Sequence, residues 1–165
     1  MTKNIILNHQ EISLKIKRIA FQIFEIFNEE LEIVVAGIDA NGFIFAEKIA
    51  DELAEIAPFK VVMCNLKIDK LNPTLPVYTS ISKSDYENKS VILVDDVLNS
   101  GTTLIYGVKH FLEVPLKNFK TAVLIDRNHK KYPVKADIKG ISLATSLYNH
   151  VQVVFEDNNN HAFLS

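Results

Sequence analysis

The run Val91-Ile92-Leu93-Val94-Asp95-Asp96-Val97-Leu98-Asn99-Ser100-Gly101-Thr102-Thr103 restricts the fold of this chain more than any other stretch. Its four leading aliphatic residues read as a strand covered on both faces, the kind found in parallel sheets flanked by helices. Two adjacent carboxylates follow, and side by side they repel each other unless hydroxyl groups or a hydrated cation answer them. The residues after them supply a glycine, the hydroxyls of Ser100, Thr102 and Thr103, and the start of a helical pattern. Backbone N–H groups turned inward at a helix start attract anions, phosphate above all. Either half alone is an ordinary Asp turn or a Ser/Thr helix cap. Both together, at the end of a buried strand, point to a ligand that carries hydroxyls and phosphate.

The flanking sequence alternates in the way such a sheet requires. Apolar residues three and four apart predict a helix over Glu11–Asn28, and the β-branched run Glu32–Ile38 predicts a strand. After the break at Asn41-Gly42, helical spacing resumes over Phe43–Ile56, and Phe59–Leu66 reads as the next strand. Asp69–Lys89 is polar and interrupted by proline, with a short edge strand expected at Val77–Ile81; the stretch reads as a hood that closes over ligand. Beyond the central run come a helix from Thr103 to Phe111 and strands at Thr121–Ile125, Gly140–Ala144 and Val151–Glu156, with a turn at Asn158-Asn159-Asn160. The fold class is therefore α/β: a doubly wound, mainly parallel sheet with flanking helices and a small hood segment. The 165 residues are read as one domain, 1–165. Loops starting at Asp39, Asp69, Asp95 and Asp126 fall at the carboxyl ends of strands, where open sheets bind ligands.

Composition narrows the function classes. Eighteen basic against twenty acidic residues give a formal net charge of -2, and only Arg18 and Arg127 are arginines. Both facts weigh against an RNA or DNA partner, which favours a basic face and bidentate arginine contacts. Cys64 is the single cysteine, so no internal disulfide or cysteine-rich metal site forms; it is expected to be a buried structural thiol. No apolar run reaches the ~20 residues of a membrane span, and the N-terminus does not resemble a signal peptide. A cytoplasmic location and no membrane partner are the expectation. Ser100 has no histidine–carboxylate pattern near it, so a serine nucleophile finds no support.

The central run resembles the signature of type I phosphoribosyltransferases, in which two acidic residues precede a Thr/Ser-Gly-x-Thr loop. The resemblance implies that Asp95 and Asp96 hold the ribose hydroxyls of PRPP (5-phosphoribosyl-1-pyrophosphate). It also implies Mg²⁺ carried on the same pair through water or those hydroxyls, and a 5′-phosphate wrapped by Leu98, Asn99, Ser100, Gly101, Thr102 and Thr103. A second stretch, Ala122 to Asp137 with Asp126-Arg127-Asn128-His129, resembles the branch of pyrimidine operon regulatory proteins and uracil phosphoribosyltransferases. That likeness continues through Gly140 to Ala144-Thr145-Ser146 and the tail Val151–Glu156, so it covers essentially the whole chain. It assigns Asp126 and Arg127 to catalysis with the Asp pair, and Ile138, Ala144, Thr145 and Ser146 to a base pocket. The implied reaction is uracil plus PRPP giving UMP and pyrophosphate, in a homodimer or higher homo-oligomer. The alternatives are a nucleotide-sensing RNA-binding regulator of pyrimidine genes with weak turnover, and a purine-base phosphoribosyltransferase. The solvated lysines around His129 are read as a surface face.

Three positions depart from the family pattern. Asn41-Gly42 stands at the pyrophosphate loop where Arg-Gly is usual, and Asn72-Pro73 stands where an Arg-Asp pair is usual. Lys67 and Lys70 are the cations left nearby, as point charges without an arginine's fork. Asn99 replaces the aspartate with which purine enzymes move a proton, which argues against a purine substrate. Slow turnover is the expectation, because cations facing the leaving pyrophosphate are missing.

Overall fold

A computed structural model describes residues 3–146 and 149–165. Chain order runs β1 (Asn4–Leu7), α1 (His9–Phe27), β2 (Glu32–Ile38), α2 (Asn41–Ile56), β3 (Lys60–Lys67), β4 (Tyr78–Thr79), α3 (Lys83–Tyr86) and β5 (Ser90–Leu98). It continues with α4 (Thr102–Phe111), β6 (Asn118–Arg127), β7 (Ile138–Leu143), β8 (Val151–Val154) and β9 (His161–Leu164). Six strands form the main sheet in the order β4-β3-β2-β5-β6-β7. All pair in parallel except the edge strand β4, which runs antiparallel to β3. The expected doubly wound architecture is what the chain adopts.

Local chemistry explains why these elements form. Asn8 caps α1 by accepting from the Glu11 N–H, while the Glu11 carboxylate accepts from the Asn8 N–H, a reciprocal capping box. From there Ile12, Ile16, Ile19, Ala20, Ile23 and Phe27 fall on one side of the helix, and all are buried. They pack with α2 residues Phe45, Ile49 and Leu53 against one face of the sheet. The opposite face is covered by Leu104 and Phe111 of α4 and by Tyr86 of α3. With helices on both faces, β2 and β5 carry almost unbroken runs of buried residues.

Two parts differ from the sequence expectation. Val151–Glu156 does not extend the main sheet; Val151–Val154 joins a separate antiparallel sheet, β1-β9-β8, built from both ends of the chain. Its apolar residues Leu7, Val151, Val153 and Ala162 pack into the α1/α2 core. The segment 69–89 is also more organised than its polarity suggests. Besides β4, within the edge strand expected at Val77–Ile81, it contains the capped turn α3, which buries Tyr86 edge-on against Phe111 at 4.9 Å between ring centroids. Among the described residues no helix is long and apolar enough to cross a membrane.

Candidate functional site

The sheet's order reverses between β2 and β5: α2 follows β2 on one face and α4 follows β5 on the other. Such a switch point leaves a crevice beyond the strands' carboxyl ends. β5 runs on through both carboxylates to Leu98, so Asp95 and Asp96 are held by strand geometry rather than by a loop. Alternation along the strand gives the two side chains different surroundings. Asp95 is 3% exposed and Asp96 only partly buried. Gly42, in the first turn of α2, lies so close that a β-carbon there would meet Asp95 Oδ1 at 2.8 Å. Burial, followed by the repulsion of Asp96, pushes the Asp95 carboxyl well above the usual carboxylate range, against a smaller opposing pull from Lys70.

Past Leu98 the chain turns into α4. Gly101 makes the turn with φ of 86°, in the left-handed region, and forms the N-terminal boundary of the helix. Ser100 Oγ and Thr102 Oγ1 are 2.8 Å apart, and Thr103 Oγ1 donates to Asp95 Oδ2 at 3.4 Å. The loop is braced from outside. The Ser100 carbonyl accepts from the N–H groups of Lys131 and Tyr132 at 2.8 and 3.1 Å, and Val134 presses on Gly101. The result is a cavity of about 340 Å³ lined by Asp95, Asp96, the whole of Leu98–Thr103, Lys70 and Val151. Larger grooves lie elsewhere, but none of the others gathers carboxylates and a turned hydroxyl loop at strand ends.

The second group of singled-out residues divides. Arg127, at the end of β6, is buried; its Nη1 donates to Asn99 Oδ1 at 3.0 Å, and Nε and Nη2 donate to Thr145 Oγ1 at 3.0 and 2.7 Å. Nη2 also donates to the Ser146 carbonyl at 3.1 Å. Arg127 thus ties the phosphate-type loop to the segment after β7, where Thr145, Ser146 and the exposed Ala144 lie. His129 Nε2 donates to the Thr145 carbonyl at 2.5 Å, which attaches that histidine to the same segment. Asp126 makes no ion pair with Arg127. It is 4% exposed and accepts from Lys130 at 2.8 Å and Lys139 at 3.4 Å, outside the cavity lining. Ile138 opens β7, paired with Ala122 in the core, at the far end of the strand from the cavity. Its hydrophobic type could serve a pocket wall or a sheet core, and the register puts it in the core.

The departures also find their places. Asn41 is turned inward: Nδ2 donates to Asp96 Oδ2 at 3.2 Å and to the Val153 carbonyl at 2.8 Å. Asn72 is bound within its own loop by Asp69 and Thr74. Lys70 lines the cavity, whereas Lys67 lines a different groove with Tyr78 and Thr79. Val151 carries no chemical signal in sequence, and its place in the wall follows only from the terminal sheet. Cys64 is fully buried, and burial raises its thiol to about 11.

A family model described as phosphoribosyl transferase domain matches residues 2–158. A protein of Haemophilus ducreyi named bifunctional protein PyrR is 33% identical over 92% of this chain and 89% of its own length. A Fusobacterium nucleatum protein of the same name is 32% identical over 93% and 91%. Among solved structures, a hypoxanthine-guanine phosphoribosyltransferase of Bacillus anthracis superposes with a TM-score of 0.71 at 25% identity, covering 87% of this chain and 84% of that one. The hypoxanthine phosphoribosyltransferase of Trypanosoma cruzi reaches a TM-score of 0.78 at 18% identity over 96% and 95%, a likeness of fold.

Proposed function

The chain belongs to the phosphoribosyl transferase domain family, and on that footing we propose that it transfers the phosphoribosyl group of PRPP to uracil, forming UMP and pyrophosphate. The observation that carries this reading is the joining of the Asp95–Asp96 pair and the braced Leu98–Thr103 loop in one cavity. The carboxylates suit the vicinal hydroxyls of a ribose, and the loop's hydroxyls with the N-terminus of α4 suit its 5′-phosphate. In the reaction the bond from the anomeric carbon to pyrophosphate breaks and a bond to the base nitrogen forms. That nitrogen's proton leaves to solvent. The protein's part is to hold ribose and phosphate rigidly and to place charge where it develops. Lys70 is the cation in the lining, and it faces the developing charge as a point charge.

The same pair fits a magnesium ion. Mg²⁺ takes one or two carboxylates and completes its shell with water and substrate oxygens. Among the described residues no cluster of three or more His, Cys, Asp or Glu could hold a metal unaided, so Asp95 and Asp96 would share it with the substrate. Bound there, it would neutralise the diphosphate.

For the base, Asn99 supports a pyrimidine. An amide cannot take up a purine's proton at neutral pH. The test is a radiolabelled assay of PRPP with uracil, hypoxanthine, guanine and orotate, with and without Mg²⁺. Uracil is expected to react, slowly and only with Mg²⁺; preference for hypoxanthine or guanine would refute the assignment of the base.

A further inference from the structure

Arg127 has five N–H donors fixed in one plane and no acceptor. Its hydrogen bonds to Thr145 Oγ1 from Nε and Nη2, to the Ser146 carbonyl from Nη2 and to Asn99 Oδ1 from Nη1 leave a single N–H on Nη1 over. The guanidinium is therefore a strut within the protein, with little left for a ligand. Its effect on Asn99 is chemical as well as mechanical. A pure donor at 3.0 Å requires an acceptor opposite, so the amide atom facing Nη1 is the oxygen. The orientation of the amide is fixed: Oδ1 is held, and the NH₂ group is the free end. Asn99 lines the cavity between the Asp pair and the hydroxyl loop, and among the described residues its Nδ2 has no partner.

We infer that Asn99 is a specificity-determining residue that donates a hydrogen bond to a carbonyl oxygen of the acceptor base, and that Arg127 is the positioning residue that makes it a donor. The inference rests on the phosphoribosyl-transfer reading. With ribose at Asp95 and Asp96 and phosphate at Ser100–Thr103, the base extends toward the side that Arg127 spans, from Asn99 to Thr145. A donor fixed there selects a ring that presents a carbonyl oxygen, and it gives no help to a ring that needs a protein group to take its proton.

The experiment is calorimetric and needs no turnover. UMP, 2-thio-UMP, 4-thio-UMP and ribose 5-phosphate are titrated into the wild type, Asn99→Ala and Arg127→Lys. Sulfur accepts hydrogen bonds poorly, so the wild type is expected to bind one of the two thio-nucleotides about fivefold more weakly than UMP, the size of one neutral hydrogen bond. Asn99→Ala is expected to abolish that discrimination, bringing UMP and both thio-nucleotides within twofold of one another. Arg127→Lys is expected to do the same in part, because the amide is then free to flip; a purely structural clamp would weaken ribose 5-phosphate as much as UMP. Discrimination that persists in Asn99→Ala overturns the inference alone, as does a wild type that binds UMP no better than ribose 5-phosphate. Failure of both ligands to bind overturns the phosphoribosyl-transfer reading as well.

Discussion

Asp95 and Asp96 are neighbours in sequence with unequal surroundings, and the difference is measurable. Asp95 is raised by burial and then by Asp96, above the ~3.9 of an unfolded chain. The folded protein therefore holds a proton that the unfolded chain releases. The stability this contributes is complete below the unfolded value and is lost as pH rises through the folded one. Asp95→Asn should then melt at a higher temperature than the wild type at pH 8 without ligand, with the gap closing as pH falls toward 4. The same variant should lose the melting shift that PRPP with Mg²⁺ produces; thermal scans across pH test both halves. Asn41 is a case where sequence alone misleads. The missing arginine suggests that Asn41→Arg would restore a leaving-group contact, but the amide joins Asp96 to Val153. Removing two hydrogen bonds worth about 1 kcal/mol each should lower the melting temperature of Asn41→Arg, with no faster turnover. A rate increase with uracil would show that the loop tolerates the new cation. The Asp pair and the hydroxyl loop were legible because adjacency in sequence is adjacency in the cavity. The partners of Arg127 and Asn41 were not, since they lie 18 to 112 residues away.

Elements with one strong period were read closely from sequence. α1, α2 and the inner strands differ from expectation by a few residues at their ends, because their apolar faces are continuous and their caps local. Short pieces escaped. β1 and β9 have four residues each, too few to show a period, and they pair across almost the full chain length. In 69–89 the polar residues conceal one anchor: among the described residues Tyr86 is the largest fully buried side chain. Tyr86→Ala should cost roughly 3–5 kcal/mol of stability, as for other large aromatic truncations, measured by urea unfolding; a loss below 1 kcal/mol would mean that α3 is dispensable. Hydrogen exchange should divide the segment accordingly. Amides of Lys83–Lys89 are expected to be protected without ligand. Those around Leu71, which is 98% exposed, should exchange freely and slow when PRPP occupies the cavity beside Lys70.

For the whole molecule, ligand and fold are linked through the crevice between β2 and β5. PRPP with Mg²⁺ at a hundredfold its dissociation constant should add about 2.7 kcal/mol to stability, and Asp95→Asn combined with Asp96→Asn should remove that gain. An undiminished gain in the double variant would place the ligand elsewhere. The terminal sheet takes part as well: β8 supplies Val151 to the cavity wall and, at Val153, the carbonyl that Asn41 holds, so one strand of that sheet closes a side of the site. The other arginine acts at the opposite margin. Arg18 reaches from α1 to the carbonyls of Lys139 and Gly140 on β7, the outermost strand, at 3.2 and 2.6 Å. Open backbone acceptors on an outer strand invite a second molecule to add its own strand, the first step toward fibrous deposits. Consecutive carbonyls along a strand point to opposite edges, so one of these two faces the open side; with it engaged, the edge offers a further strand one acceptor fewer, and a concentrated solution of the protein should stay clear where Arg18→Ala slowly scatters light.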